Sequence, residues 1–296
     1  MAFKKPWGMT EGFLIGGGLI VVGLLLQVVL GPINWSLFAW PVNLVLLILL
    51  VAFIGLMYAL RKRVYAFEWM MHSSAAVPCL LFAAVLTIVM GLLPQLKTGG
   101  VPWLSQMLSF WPFVIIWTWM MVISALAALN HLLRWKVKEI PFILNHLGVV
   151  IAIVAATLGN ADTQTLQMTV FSDMPEWRAI DDNGEVHDPG IAIDLHSFTM
   201  EEYPDHTPKR FASDITVYTE DGDSVQGIVE VNKPLKVGGW KIYQYGYDTS
   251  RGAYSAYSVF QLVRDPWLFW VYLGICMMLA GAVCLMLFMA PKPLKQ

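Results

Sequence analysis

Six histidines are the residues of this chain with the most chemical promise, because no Asp, Glu, Lys or Arg falls deep within its long apolar runs. Chemistry inside a membrane usually depends on an ionisable side chain. His187, His196 and His206 lie in a polar stretch and read as surface or structural residues. His72 follows Trp69-Met-Met just ahead of an apolar run, an interfacial position. His131 precedes Arg134 by three residues, where it can complement the negative end of a helix dipole or act as a weaker candidate ligand. His146 stands five residues past Pro141, within Ile143-Leu-Asn-His-Leu-Gly-Val-Val. An unpaired imidazole there would be costly, so it should meet either a hydrogen-bonding neighbour on another helix or a metal. A neutral imidazole is a good axial ligand for haem iron, and two such rings on facing helices would hold a haem between them. The residues alone leave both readings open.

Sulfur chemistry is not expected. Cys79, Cys276 and Cys284 all lie in apolar runs and no C-x-x-C occurs, which reads as buried free thiols.

The elements that must position these residues follow from composition. The 296 residues are 57% hydrophobic and 14% charged, against about a quarter charged in a soluble domain. Residues 160–264 hold 17 of the 21 acidic residues and 8 of the 19 basic ones. The chain is therefore a basic, apolar part joined to an acidic, polar one, and that acidic balance argues against nucleic-acid binding. Six runs, about 12–30, 42–60, 75–93, 110–133, 142–159 and 267–290, suit a hydrocarbon core that takes about 20 residues of helix. Backbone groups in hydrocarbon must be satisfied within the segment, so these are expected to be helices. The first run has no small-x-small cleavage site after it and reads as a retained helix.

Basic residues mark alternate ends of these runs: Lys4 and Lys5, Arg61-Lys62-Arg63, Arg134, Lys136 and Lys138, then Lys292 and Lys295. The short loops at the opposite ends hold only Lys97. The positive-inside rule then puts both termini in the cytoplasm and residues 160–264 outside. Alternation in Ile191-Ala-Ile-Asp-Leu, Asp214-Ile-Thr-Val-Tyr and Ile228-Val-Glu-Val-Asn, with turns at Asp181-Asp-Asn-Gly, Glu220-Asp-Gly-Asp and Gly238-Gly239, predicts a β-rich domain. Six or seven short strands with no room for a crossover helix predict an antiparallel sandwich or open barrel.

Several local patterns, in order, resemble the ResB (CcsB) family of system II cytochrome c maturation. They are Gly91-Leu-Leu-Pro-Gln95, Pro141-Phe-Ile-Leu-Asn-His146-Leu-Gly148, Ile193-Asp-Leu-His-Ser-Phe198, Glu202-Tyr203-Pro204, Val231-Asn-Lys-Pro-Leu235, Gly239-Trp-Lys-Ile-Tyr-Gln-Tyr-Gly-Tyr247 and Arg264-Asp-Pro266. The resemblance spans about residues 72–290. It implies two additional N-terminal membrane helices in 1–65, a three-helix core in 66–159, an extracytoplasmic β-rich domain in 160–264, and a final helix with a short tail in 265–296.

The resemblance further implies a CcsA-type membrane partner, haem b shared with that partner, and delivery of haem for attachment to apocytochrome c. A thiol-reducing partner is a further implied contact. His146 matches the family's transmembrane haem ligand. The Trp-rich haem-handling segment of CcsA has no counterpart here. Trp111, Trp117 and Trp119 read as packing or interfacial anchors. The chain is thus expected to hold one side of a haem site as a subunit of a haem-attachment (synthetase) complex, with no catalytic residue of its own. Two alternatives stand beside this: a haem b subunit of a quinone-linked oxidoreductase, with His131 and His146 clamping one haem, and a haem-free assembly scaffold.

Overall fold

The computed structural model describes residues 5–96, 100–205 and 207–288. His206, Lys4, Lys97, Lys292 and Lys295, which figured in the sequence expectations, lie outside the described residues. The chain divides into a helical unit, Met1–Asp162 with Trp267–Gln296, and a β domain, Thr163–Pro266.

The helical unit contains α1 (Met9–Leu30), α2 (Val42–Leu60), the short α3 (Tyr65–Trp69), α4 (Ser73–Leu92), α5 (Trp111–Leu132), α6 (Ile140–Gly159) and α7 (Leu268–Phe288). All but α3 are long and apolar enough to cross a membrane, and together they make this a multi-pass membrane protein. Prolines open α5 and α6 within the first turn, where a missing N–H costs little. At the end of α4 the Gln95 amide donates to the carbonyls of Met90, Leu93 and Leu104 and accepts from the Met107 N–H. One side chain so satisfies the open end of a helix and pins the loop that follows.

Helix α5 is central: 56% of its apolar window is buried, against 11–28% for the other five. Helix α1 lies on α4 and α5 along a face of small residues. A Cβ on Gly12 would come within 2.8 Å of the Ser74 carbonyl, and one on Gly23 within 2.7 Å of Pro112. Next on that face, buried Gln27 accepts a hydrogen bond from the Trp111 N–H at 3.1 Å. The first helix is thus built into the bundle. Helices α6 and α7 approach more closely still. A Cβ on Gly148 would lie 2.6 Å from the Gly274 carbonyl, one on Gly274 2.6 Å from the Gly148 carbonyl, and one on Gly281 2.7 Å from the Asn145 amide. Small residues let helices meet backbone to backbone in lipid, where no hydrophobic force drives them together.

The β domain is a sandwich, not an open barrel. One sheet has the order β3-β2-β1-β9-β8-β7 and the other β4-β5-β6. Their strands are β1 (Gln164–Phe171), β2 (Ala179–Ile180), β3 (Val186–His187), β4 (Ile191–Glu202), β5 (Pro208–Thr219), β6 (Ser224–Glu230), β7 (Leu235–Val237), β8 (Trp240–Tyr247) and β9 (Tyr257–Arg264). Every named pairing is antiparallel. The turns expected at Asp181, Glu220 and Gly238-Gly239 each connect a hairpin. The strands number nine among the described residues, more than the expected six or seven, because β2, β3 and β7 are only two or three residues long and show no alternation. Alternate residues face inward, so Met168, Phe260 and Leu262 from one sheet meet Ile193, Ile215 and Val217 from the other.

The cysteines need one correction. Cys79 is buried, but Cys276 is exposed and Cys284 intermediate. On a lipid-facing helix a thiol needs no protein cover, since the solvent is itself apolar.

Candidate functional site

At the α5–α6 turn the two candidate histidines are brought together, with a residue between them. His131 closes α5 and His146 lies in the second turn of α6. The Phe142 ring stacks on the His146 imidazole with centroids 3.8 Å apart and planes 19° from parallel. It also lies 4.1 Å from the His131 ring, tilted by 35°. Two rings so close to one centroid cannot share a face, so Phe142 stands between the imidazoles.

Each imidazole has one nitrogen committed. The Nδ1 of His146 is 3.0 Å from the Phe142 carbonyl, one helical turn back. A carbonyl only accepts, so Nδ1 carries the proton and Nε2 is left with its lone pair. The Nδ1 of His131 is 3.0 Å from a Glu139 carboxylate oxygen, and those side chains are 33% and 27% exposed. A carboxylate likewise only accepts, so this Nδ1 also carries a proton. Metal-binding histidines characteristically donate the non-ligating N–H to a carbonyl or carboxylate, which fixes the tautomer and ring orientation. His146 has that preparation and is half-buried within an apolar helix, so its ring fits an axial ligand for haem iron. Next to His131, the Asn130 side-chain oxygen is buried without a partner among the described residues.

The other histidines among the described residues do not join this cluster. His72 is exposed at the start of α4. His187 lies 3.4 Å from Asp181 within a hairpin of the β domain. The Nε2 of His196 pairs with the Thr216 hydroxyl at 2.7 Å across two strands. Of the tryptophans, Trp117 packs beside Phe113 at 5.7 Å and Trp111 donates to the Gly31 carbonyl at 3.0 Å.

At the far end of α6 a second polar cluster fixes the helix. Asp162 accepts from the Trp40 N–H at 2.8 Å, the Asn43 amide at 2.7 Å and the Trp267 indole at 2.7 Å. One carboxylate therefore ties the start of α2, the end of α6 and the start of α7. Sequence reasoning passed over Glu139, Phe142 and Asp162. A turn-spanning His131–Glu139 pair and an aromatic one helical turn before His146 were visible signals. The three donors on Asp162, drawn from across the chain, left none.

A family model described as the ResB-like family matches residues 134–256. This chain carries a ResB-like segment. It takes in Glu139, Phe142, His146 and Asp162 and most of the β domain, and is narrower than the span of about 72–290 suggested by local motifs. Two curated relatives, each named Cytochrome c biogenesis protein CcsB, come from Prochlorococcus marinus strains NATL2A and NATL1A. Each is 28% identical over 102 residues, covering 34% of this chain and 23% of the relative. The aligned part is thus under a quarter of the relatives' length. A solved structure titled Cytochrome c Heme Lyase CcmF aligns with 94% of this chain and 46% of its own, at 13% identity and a TM-score of 0.39. Likeness at that level supports no inference about this chain.

Proposed function

We propose that this protein takes part in cytochrome c biogenesis as a ResB-like membrane component, and that His146 ligates haem on its way to apocytochrome c. One observation carries the reading: within the ResB-like segment, His146 gives its Nδ1–H to the Phe142 carbonyl, which leaves Nε2 ready to bind iron. Haem is cargo here; its iron accepts a nitrogen lone pair on each face. The chain's part is to hold one imidazole in a fixed tautomer, in apolar surroundings, against the brace of Phe142.

The second axial ligand is assigned to a partner, a CcsA-type membrane protein in an inner membrane with residues 163–266 on the extracytoplasmic side. Phe142 supports this division, because it fills the gap across which His131 and His146 would otherwise share one iron. The oxidoreductase reading needs that gap open. His131 is given the lesser role of a neighbour oriented by Glu139, and a haem-free scaffold is the outcome if the complex contains no haem at all.

The test is co-expression with the partner and purification of the membrane complex. His146→Ala should abolish the transmembrane haem absorbance while the complex still assembles, and His146→Gly should regain it with added imidazole. Undiminished haem in the assembled His146→Ala complex would overturn the assignment. A full bis-histidine spectrum from this chain alone, lost with either His131 or His146, would favour the oxidoreductase reading.

A further inference from the structure

A cavity of about 710 Å³ lies between α2, α5 and α6. It occupies the end of the helical unit where α6 gives way to residue 163, here called the junction end. The way α2 is held explains it. At the junction end the Asn43 amide donates to Asp162 and, at 3.3 Å, to the Leu158 carbonyl. At the other end Met57 is buried against Met121 and Leu126. Between these attachments Leu50 and Ile54 pack toward α5 and α6, and beside them the gap is walled by apolar side chains such as Leu49, Phe53, Val114 and Ile153. The Thr118 hydroxyl on the wall is spent on the Val114 carbonyl at 2.7 Å. Trp35 and Asn160 lie at the junction end, the Trp35 indole N–H donating to the Leu108 carbonyl at 3.1 Å, and Thr157 and Trp117 are further polar groups on the wall.

Dimensions identify the occupant. Phe53 lies eleven residues along α2 from Val42, and Met121 ten along α5 from Trp111. At 1.5 Å per residue both are about 15 Å down, half of a hydrocarbon core of about 30 Å. The cavity thus runs the depth of one leaflet. Leu49 and Phe53 are 58% and 51% exposed, so its side is open to hydrocarbon. Left empty, such walls would lose their dispersion contacts.

We propose that this cavity binds one acyl tail of a phospholipid from the leaflet at the junction end, with the glycerol region beside Trp35 and Asn160. The inference is independent of the haem reading.

The experiment is lipid extraction and mass spectrometry of the purified full chain after exhaustive detergent washing. Wild type should retain a single phospholipid per chain. Ala156→Trp, which fills the cavity from its wall, should reduce retained lipid to background. Val77→Trp, on an exposed position of α4 outside the cavity, should not. Thr157→Phe, a second wall position, repeats the test where Ala156→Trp disturbs folding. Any of these results would overturn the proposal: no retained phospholipid, equal retention in the filled variants, or an isoprenoid quinone in its place. The quinone outcome would give an acceptor to the Trp117 indole N–H, buried on the wall without a partner among the described residues. Cross-links from Leu49 to a partner helix, with lipid lost from the complex, would overturn it equally.

Discussion

In the helical unit Asp162 accepts three hydrogen bonds from residues 40, 43 and 267, all between 2.7 and 2.8 Å. In the β domain Arg210 lies between Glu201 and Glu230 at 2.9 and 2.7 Å, Lys233 adds a further contact to Glu230, and Glu176 pairs with Arg178. The first region has few charges and gathers three donors on one carboxylate. The second has many, several of them joined in a pair or a small network on a wet surface. Solvent accounts for the difference. Where hydrocarbon surrounds the chain, an unmet donor has nowhere to turn. Where water surrounds it, an ion pair only replaces hydration, and exposed pairs contribute about 0.2–1 kcal/mol.

Substitutions can sharpen or break this contrast. The largest effect is expected where the helical unit dispenses with side chains altogether. Gly274→Leu should abolish the folded α6–α7 pair, because even a Cβ meets the Gly148 carbonyl at 2.6 Å and the Ala152 N at 2.7 Å. Gly274→Ala should cost about 1–3 kcal/mol, as overpacking does. Thermal unfolding in detergent measures both, and an unchanged midpoint for Gly274→Ala would refute the close approach.

Next comes Asp162→Ala, which removes the shared acceptor of three hydrogen bonds at a helix junction, that of the buried Asn43 amide among them. Leaving a buried donor unmet costs about 1–3 kcal/mol, so the loss should be of that order. It should appear as faster hydrogen exchange at the Trp40 N–H. Exchange that stays slow would mean that the junction end of α2 does not depend on this carboxylate.

The smallest effect belongs to the β domain. The Arg178 guanidinium, with help from the backbone N–H groups of Trp177 and Arg178, holds the Glu176 carboxyl down at about 2. A folded value below the ordinary carboxylate range means that the stabilisation is present above that range. It fades as pH falls through 4.5 toward 2. Because the Arg178 side chain is 56% exposed and water screens the pair, about 1 kcal/mol or less is at stake. Acid titration of the domain's fluorescence should show a shallower loss in Glu176→Gln. An identical acid limb in the variant would remove this pair from the account.

Much of this architecture was legible from composition. All six long helices lie within about three residues of the expected apolar runs, because a hydrocarbon layer imposes both a length and a helical backbone. Hairpins at Asp181 and Glu220 were equally visible, since left-handed glycines at 184 and 222 mark their turns. The short strands were not, nor was the one-turn helix at 65–69 that buries Trp69. Packing decides those elements, and two or three residues carry no periodicity. At the candidate site the sequence drew attention to His146 and His131 but not to what lies between them. Face-to-face placement depends on rotamers and on the turn between α5 and α6. The partnership of Asp162 with Asn43, 119 positions away, belongs to tertiary structure alone.

Phe142 serves His146 twice, with its carbonyl as the anchor and its ring as the brace, and only the second is removed by changing its side chain. Phe142→Ala would therefore keep the proton where it is and release the imidazole plane to rotate. Aromatic ring currents would report this directly, since the proton resonances of both histidines now lie in the shielding cone of a single benzene ring. Their joint downfield movement in that variant would register the loosening on both sides at once.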